Sequence, residues 1–159
     1  MAEQKVPMTP QGHIRLREEL KRLKEVELPK VVKDIGTARE HGDLSENAEY
    51  HAVKERQGMI VARIGSIENS LALAEVIDPT KLSGSKVQFG ARVRLSNLET
   101  EEETSFQIVG PEETDVKLGR ISIASPLARG LLGHEVGDEV KVHMPAGPRV
   151  YEILEIAFG

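Results

Sequence analysis

Two carboxylates, Asp43 and Glu46, stand three residues apart in the run Arg39-Glu40-His41-Gly42-Asp43-Leu44-Ser45-Glu46-Asn47-Ala48-Glu49-Tyr50. Their spacing fits two readings. In the first, Asp43 caps the helix that follows and Glu46 closes a capping box by reaching back to the cap's own N–H. In the second, the pair meets a metal. Two carboxylates are too few for an all-protein Mg²⁺ cage, because Mg²⁺ keeps several waters and shares oxygen ligands with substrate phosphates. Such a pair holds an ion only inside another molecule's active site, where a second metal orients a water for phosphodiester cleavage.

The neighbours of this pair are also ambiguous. Arg39, Lys54 and Arg56 lie within about three helical turns of it. They are either solvated helix charges or a small basic patch that holds an RNA phosphate. His41 has no assigned role, and Gly42 is the natural positive-φ residue of a turn. Leu44 either folds back on the helix end or touches a partner.

Two helices must carry this segment. Thr9 is a candidate N-cap with Pro10 at the first helical position, where a missing N–H costs nothing. Leu16, Leu20 and Leu23 follow at steps of four and three; Leu28, Val31, Ile35 and Ala38 resume the pattern. The step from Leu23 to Leu28 breaks phase, and Pro29 beside it predicts a bend. The expected element is one kinked helix of roughly 30 residues, about 45 Å long.

Tyr50, Val53, Gln57, Ile60, Ile64, Ile67, Leu71 and Ala74 form a heptad seam on the second helix, with Gln57 as its polar, register-setting member. Helices of similar length joined by a short turn predict an antiparallel coiled-coil hairpin over residues 1–78, with its tip at 41–46. Gly36, Gly58 and Gly65 each cost about 1 kcal/mol against alanine in such helices, for which close helix approach is the expected reason. Arg15, Arg17, Lys21, Arg22 and Lys24 interleave with Glu18, Glu19 and Glu25 as an ordinary solvated face.

Residues 79–85 read as a linker, and beyond it the period changes to two. Ala91, Val93 and Leu95 alternate with Arg92, Arg94 and Ser96; Phe106 and Ile108, Ile121 and Ile123, and Val140, Val142 and Met144 alternate likewise. Tyr151 and Ile153 do so too, followed after a slip by Leu154 and Ile156. These are half-buried, antiparallel strands. Ser125-Pro126 opens a short helix, Leu127 to Leu132, which Gly133 stops. The fold class is therefore α+β with two domains, the second over residues 86–159. The apolar run Ser125-Pro126-Leu127-Ala128-Arg129-Gly130-Leu131-Leu132 serves either core packing or docking.

Composition removes several functions. The 159 residues include no cysteine, no tryptophan and only 3% aromatics. That excludes disulfides and thiolate metal sites, and argues against an aromatic ligand pocket or base-stacking platform. The net charge is −5, with 12 basic against 14 acidic groups in residues 1–80 and 9 against 12 in residues 81–159. Neither half is a basic nucleic-acid domain, so any nucleic-acid contact is local or borrowed from a partner. The sequence has neither a signal-peptide pattern nor an apolar run of about 18 residues, so a soluble cytoplasmic protein without membrane contact is expected. No GxxxxGK[ST], HExxH or GxSxG motif occurs.

The run Arg39 to His51 resembles the acidic tip of bacterial transcription elongation factors of the GreA/GreB family. Ile108-Val109-Gly110, Ile121-Ser122-Ile123 and Ser125 to Gly133 extend that resemblance over nearly the whole chain. Leu44 and Ala48-Glu49-Tyr50-His51 look like the GreA branch. The resemblance implies a coiled-coil arm that enters the secondary channel of RNA polymerase. Asp43 and Glu46 match the acidic pair that helps hold the polymerase's second Mg²⁺ there, with no metal bound to the free protein. Backtracked RNA is then cut by the polymerase, giving a new nascent 3′ end. Arg39 and Lys54 match basic positions facing RNA; the second is lysine where arginine is common, which removes a bidentate contact. The C-terminal half resembles an FKBP-like domain that docks on the polymerase through the segment of Ser125, Pro126, Leu127 and Arg129.

The protein is then an accessory factor rather than an enzyme. Three other readings compete. A channel-blocking inhibitor of the same family would carry extra acids at the tip. A prolyl isomerase needs an aromatic-lined pocket, and residues 81–159 offer only the scattered Phe89, Phe106, Tyr151 and Phe158. A structural coiled-coil adaptor would not need Asp43 and Glu46.

Overall fold

The computed structural model describes residues 4–40 and 47–159. Its contacts divide into two units, one of His13–Leu73 and one of the described residues up to Gly12 with Ala74–Gly159. The α+β class with a helical hairpin and a sheet-plus-helix unit is as the sequence patterns predict.

The hairpin unit is built from α1 (Pro10–Arg22), a π-helical segment (Leu23–Glu27), α2 (Leu28–Arg39) and α3 (Ala48–Leu73). Helical structure runs without interruption from Pro10 to Arg39. The phase break at Leu23–Leu28 is a π-turn, in which the Leu28 N–H donates to the Leu23 carbonyl five residues back. The proline alone does not cause the break. The wide turn lies directly before Pro29, whose ring would otherwise press on the carbonyl four residues earlier.

The seams meet as their spacing requires. Leu16, Leu23, Val31, Ile35 and Ala38 of the first strand of the hairpin are buried, as are Ile64 and Ile67 of α3, while Val53, Gln57, Ile60 and Leu71 are half-buried. Ala74 leaves the seam and enters a β-strand. Ion pairs lock the flanks: Arg63 binds Glu19 through two nitrogens at 2.9 and 3.0 Å, Lys24 reaches Glu68 at 3.1 Å, and Arg56 pairs with Asp34. Gly36, Gly58 and Gly65 do not mark close helix approach, because a Cβ on any of them would meet nothing within 4 Å. Nothing in the structure explains these three glycines.

In the second unit, β1 (Val6–Met8) pairs in parallel with β2 (Ala74–Val76). The main sheet comprises β3 (Arg92–Asn97), β4 (Glu103–Val109), β5 (Arg120–Ser122), β6 (Glu139–Met144) and β7 (Gly147–Ala157), in the order β5-β4-β3-β7-β6. All neighbours are antiparallel except β4 and β5, which are joined through two 3-10 turns and run parallel. The slip in β7 is a bulge: Arg94 faces Glu155 and Leu95 faces Ile153, leaving Leu154 over. Val93, Leu95, Ile108, Ile121, Val140, Val142, Tyr151 and Ile153 point to one face and are buried under α4 (Pro126–Leu131), which adds Leu127, Ala128 and Leu131. Asp78 and Pro79 open a 3-10 turn within the stretch read as a linker.

A buried carboxylate organises the start of the chain. Glu113 accepts from the backbone N–H groups of Thr9 and Gly110, each at 3.0 Å, and from the Thr9 hydroxyl. The same hydroxyl accepts from Gly12 N–H at 3.2 Å, which confirms Thr9 as the cap of α1.

Candidate functional site

Asp43 and Glu46, with His41, Gly42 and Leu44, lie outside the described residues. The ends that hold this segment are well defined. Asn47 is the N-cap of α3: its Oδ1 accepts from Tyr50 N–H at 3.0 Å and its carbonyl accepts from His51 N–H at 3.1 Å. The cap position of α3 is therefore filled by Asn47 and not by Asp43. Asn47 does more than cap. Its Nδ2 donates to the Ala38 carbonyl at 2.7 Å, so one side chain satisfies an orphan carbonyl at the end of α2 and an orphan N–H at the start of α3.

The structure separates the three candidate basic residues. The Arg39 guanidinium lies 5.9 Å from the centroid of the Tyr50 ring, a cation–π contact. Lys54 follows Tyr50 by one helical turn, on the same face of α3. Its ammonium contacts Gln57 Oε1 at 3.2 Å and has no carboxylate partner among the described residues. Arg39 and Lys54 are both exposed. Arg56 is different: its charge is committed to Asp34 across the hairpin.

The segment at α4 also divides. Ser125 Oγ accepts from Ala128 N–H at 3.2 Å and caps the helix, while Leu127 is in the core. Pro126 and Arg129 are exposed. Among the described residues, no three His, Asp or Glu side chains converge on a metal position, and no helix is long and apolar enough to cross a membrane.

The role of Asn47 escaped the sequence reading, as did the contact of Tyr50, which was placed in the helical seam, with Arg39. An asparagine directly before a helix is a usual cap signal, but it was masked here by the nearer attraction of the Asp43–Glu46 spacing.

Comparison with known proteins agrees with these features. The transcription elongation factor N-terminal family matches residues 6–76, and the GreA/GreB C-terminal family matches residues 82–158. The chain is 54% identical over 156 residues to transcription elongation factor GreA of Rhizobium leguminosarum bv. trifolii, covering 98% of this chain and 99% of that protein. It is 58% identical over 153 residues to GreA of a Caulobacter species, covering 96% and 98%. The crystal structure of GreA factor homolog 1 from Thermus thermophilus aligns over 97% of this chain and 99% of that one, at 32% identity and a TM-score of 0.45. A capped helical hairpin followed by a sheet-plus-helix unit, matched by family domains over both halves, makes this chain a member of the GreA/GreB family of transcription elongation factors.

Proposed function

We propose that this factor inserts its hairpin into the secondary channel of RNA polymerase and stimulates the polymerase's own endonucleolytic cleavage of backtracked RNA. The observation that carries this reading is the cap of α3. With Asn47 in that position, Asp43 is not needed to cap α3, and the simplest structural use of the Asp43–Glu46 pair is removed.

The donor set fits a shared ion. Asp43 and Glu46 would hold Mg²⁺ together with oxygens of the polymerase and its RNA, since two carboxylates alone leave most of its octahedral shell to water. When bound, that ion stabilises charge at the cleaved phosphodiester and orients the attacking water. The remaining roles belong to this chain's own side chains. Asn47 holds the two helix ends together beside the acids. Arg39 and Lys54 offer positive charge to an RNA phosphate near its 3′ end. Pro126 and Arg129 are the parts of the α4 segment open to a docking partner, with Ser125 and Leu127 shaping the helix beneath. The protein works as an accessory factor in the cytoplasm, without catalysis of its own.

The test is RNA release from a halted polymerase complex with added Mg²⁺, comparing wild type with Asp43→Asn and Glu46→Gln. Both variants should bind the polymerase normally and lose cleavage. Full cleavage by both would refute the role of the acids.

A further inference from the structure

The sheet carries a second charged feature, on the face opposite α4. Arg92 of β3 is in register with Gln107 of β4, and Gln107 with Arg120 of β5. Each of the three directly precedes a buried core residue, Val93, Ile108 or Ile121, so the period of two turns all three away from the core. They form a row Arg–Gln–Arg across three adjacent strands. At about 4.8 Å per strand, the two arginine backbones stand roughly 10 Å apart. The row lines a cleft of about 230 Å³ together with the exposed Leu118.

The charges in this row are unmatched. Arg94, two residues along β3 on the same face, is bound by Glu103 at 2.7 Å and by Glu155 at 3.4 Å. Arg92 and Arg120 have no carboxylate partner among the described residues. The two arginines stand in register with one glutamine between them, on a face whose third arginine is already neutralised.

We infer that this row is a docking site for a carboxylate-bearing, partly apolar segment of the partner protein; the inference rests on the reading that this partner is RNA polymerase. Guanidinium forks match carboxylates in bidentate geometry, and the Gln107 amide between them adds a further donor. Leu118 and Val116, both largely exposed, supply an apolar flank. A polynucleotide suits the face less well. A polynucleotide carries a charge at every nucleotide, whereas residues 81–159 hold 9 basic against 12 acidic groups, so two arginines match a segment with one or two carboxylates and not a continuous phosphate backbone. The cleft is also smaller than the sites that enclose whole small molecules, which begin at about 300 Å³.

The experiment measures affinity of the full chain for core RNA polymerase at low and high salt. The double variant Arg92→Gln/Arg120→Gln should bind about tenfold or more weakly at low salt and show a flatter salt dependence. Arg94→Gln on the same face should bind within about twofold of wild type, since its charge is already matched. Wild-type affinity in the double variant would overturn the inference while leaving the functional reading intact. Failure of the wild type itself to bind would overturn both. The same double variant is tested by sedimentation and by titration with a single-stranded RNA of 12 nucleotides in the absence of polymerase. Loss of self-association or of RNA binding there assigns the row to a second copy or to phosphate, and overturns the inference.

Discussion

Asn47 donates to the Ala38 carbonyl across the hairpin, 2.7 Å away, and so joins the two helix ends on either side of the Asp43–Glu46 segment. The two functions of its amide are separable. Asn47→Asp keeps an oxygen for the Tyr50 N–H but sets a carboxylate against the Ala38 carbonyl. Asn47→Ala loses both bonds. Loss of the cap costs about 1 kcal/mol, and loss of the cross-helix bond about another 1 kcal/mol. In thermal melts both variants should fall below wild type, and both should stimulate cleavage less. Asn47→Asp that cleaves as well as wild type would show that the cross-helix bond does not serve the acids.

The exposed basic residues should part ways in function. Arg56→Ala removes an ion pair with Asp34 and should lower hairpin stability by a few tenths of a kcal/mol while leaving cleavage near normal. Lys54→Ala should leave melting almost unchanged and Arg39→Ala should cost about 0.5 kcal/mol through the lost contact with the Tyr50 ring, while both weaken cleavage, most visibly at low factor concentration. A cleavage defect of equal size in Arg56→Ala would contradict the separation of these charges.

One substitution should have opposite effects at different glycines. Gly58→Ala and Gly65→Ala add a methyl group to open space in a helix interior. Each should stabilise the protein by roughly 0.5–1 kcal/mol. Gly12→Ala drives the new methyl into the Glu113 carboxylate, within a buried network. It should destabilise by about 1–3 kcal/mol. Denaturant titration reads all three, and stabilisation by Gly12→Ala would rule out the described packing.

The hairpin should also respond to acid. The Arg63 guanidinium bonded to Glu19 holds that carboxyl below its ordinary value of 4.5. A lowered folded-state pKa means that the unfolded chain takes up the proton first as pH falls. The pair's contribution is therefore complete above about pH 4.5 and disappears as pH drops through the lower folded value. With both side chains about one-third exposed, solvent screening limits it to about 1 kcal/mol. Melts of wild type and Glu19→Gln should differ at pH 7 and converge in acid well below pH 4.5. A gap that widens in acid would contradict the sign.

Periodicity made much of this fold legible. The α3 seam, the alternating strands and the Ser125 cap all follow from residue spacing, because burial on one face of a regular element leaves a regular trace. Even two irregularities were visible, the Leu23–Leu28 step and the slip after Ile153. Their physical cause was not, since a five-residue step fits either a proline bend or a π-turn. β1 and β2 left no signal: three residues each are too short for a period, and their pairing is set by the chain termini of the helices between them. Glu113 gave no hint either, because its bonds to Thr9, 104 residues away, cannot be seen in local spacing. At the functional segment the sequence displayed the acids plainly. It concealed which neighbour relieves Asp43 of capping α3, since Asp and Asn compete for the same structural role.

The π-turn has a consequence for how the hairpin tolerates change in its gene. That turn accommodates one spare residue, and the spare residue sets the phase of everything from Leu28 to Arg39 against α3. Loss or gain of a single codon within 23–27 would turn the following stretch by about 100° and slide it by about 1.5 Å. Val31, Ile35 and Ala38 would swing off the seam, and the chain would leave Arg39 on a different bearing. The direction in which the chain leaves Arg39 is thereby decided by a count of residues more than ten positions upstream.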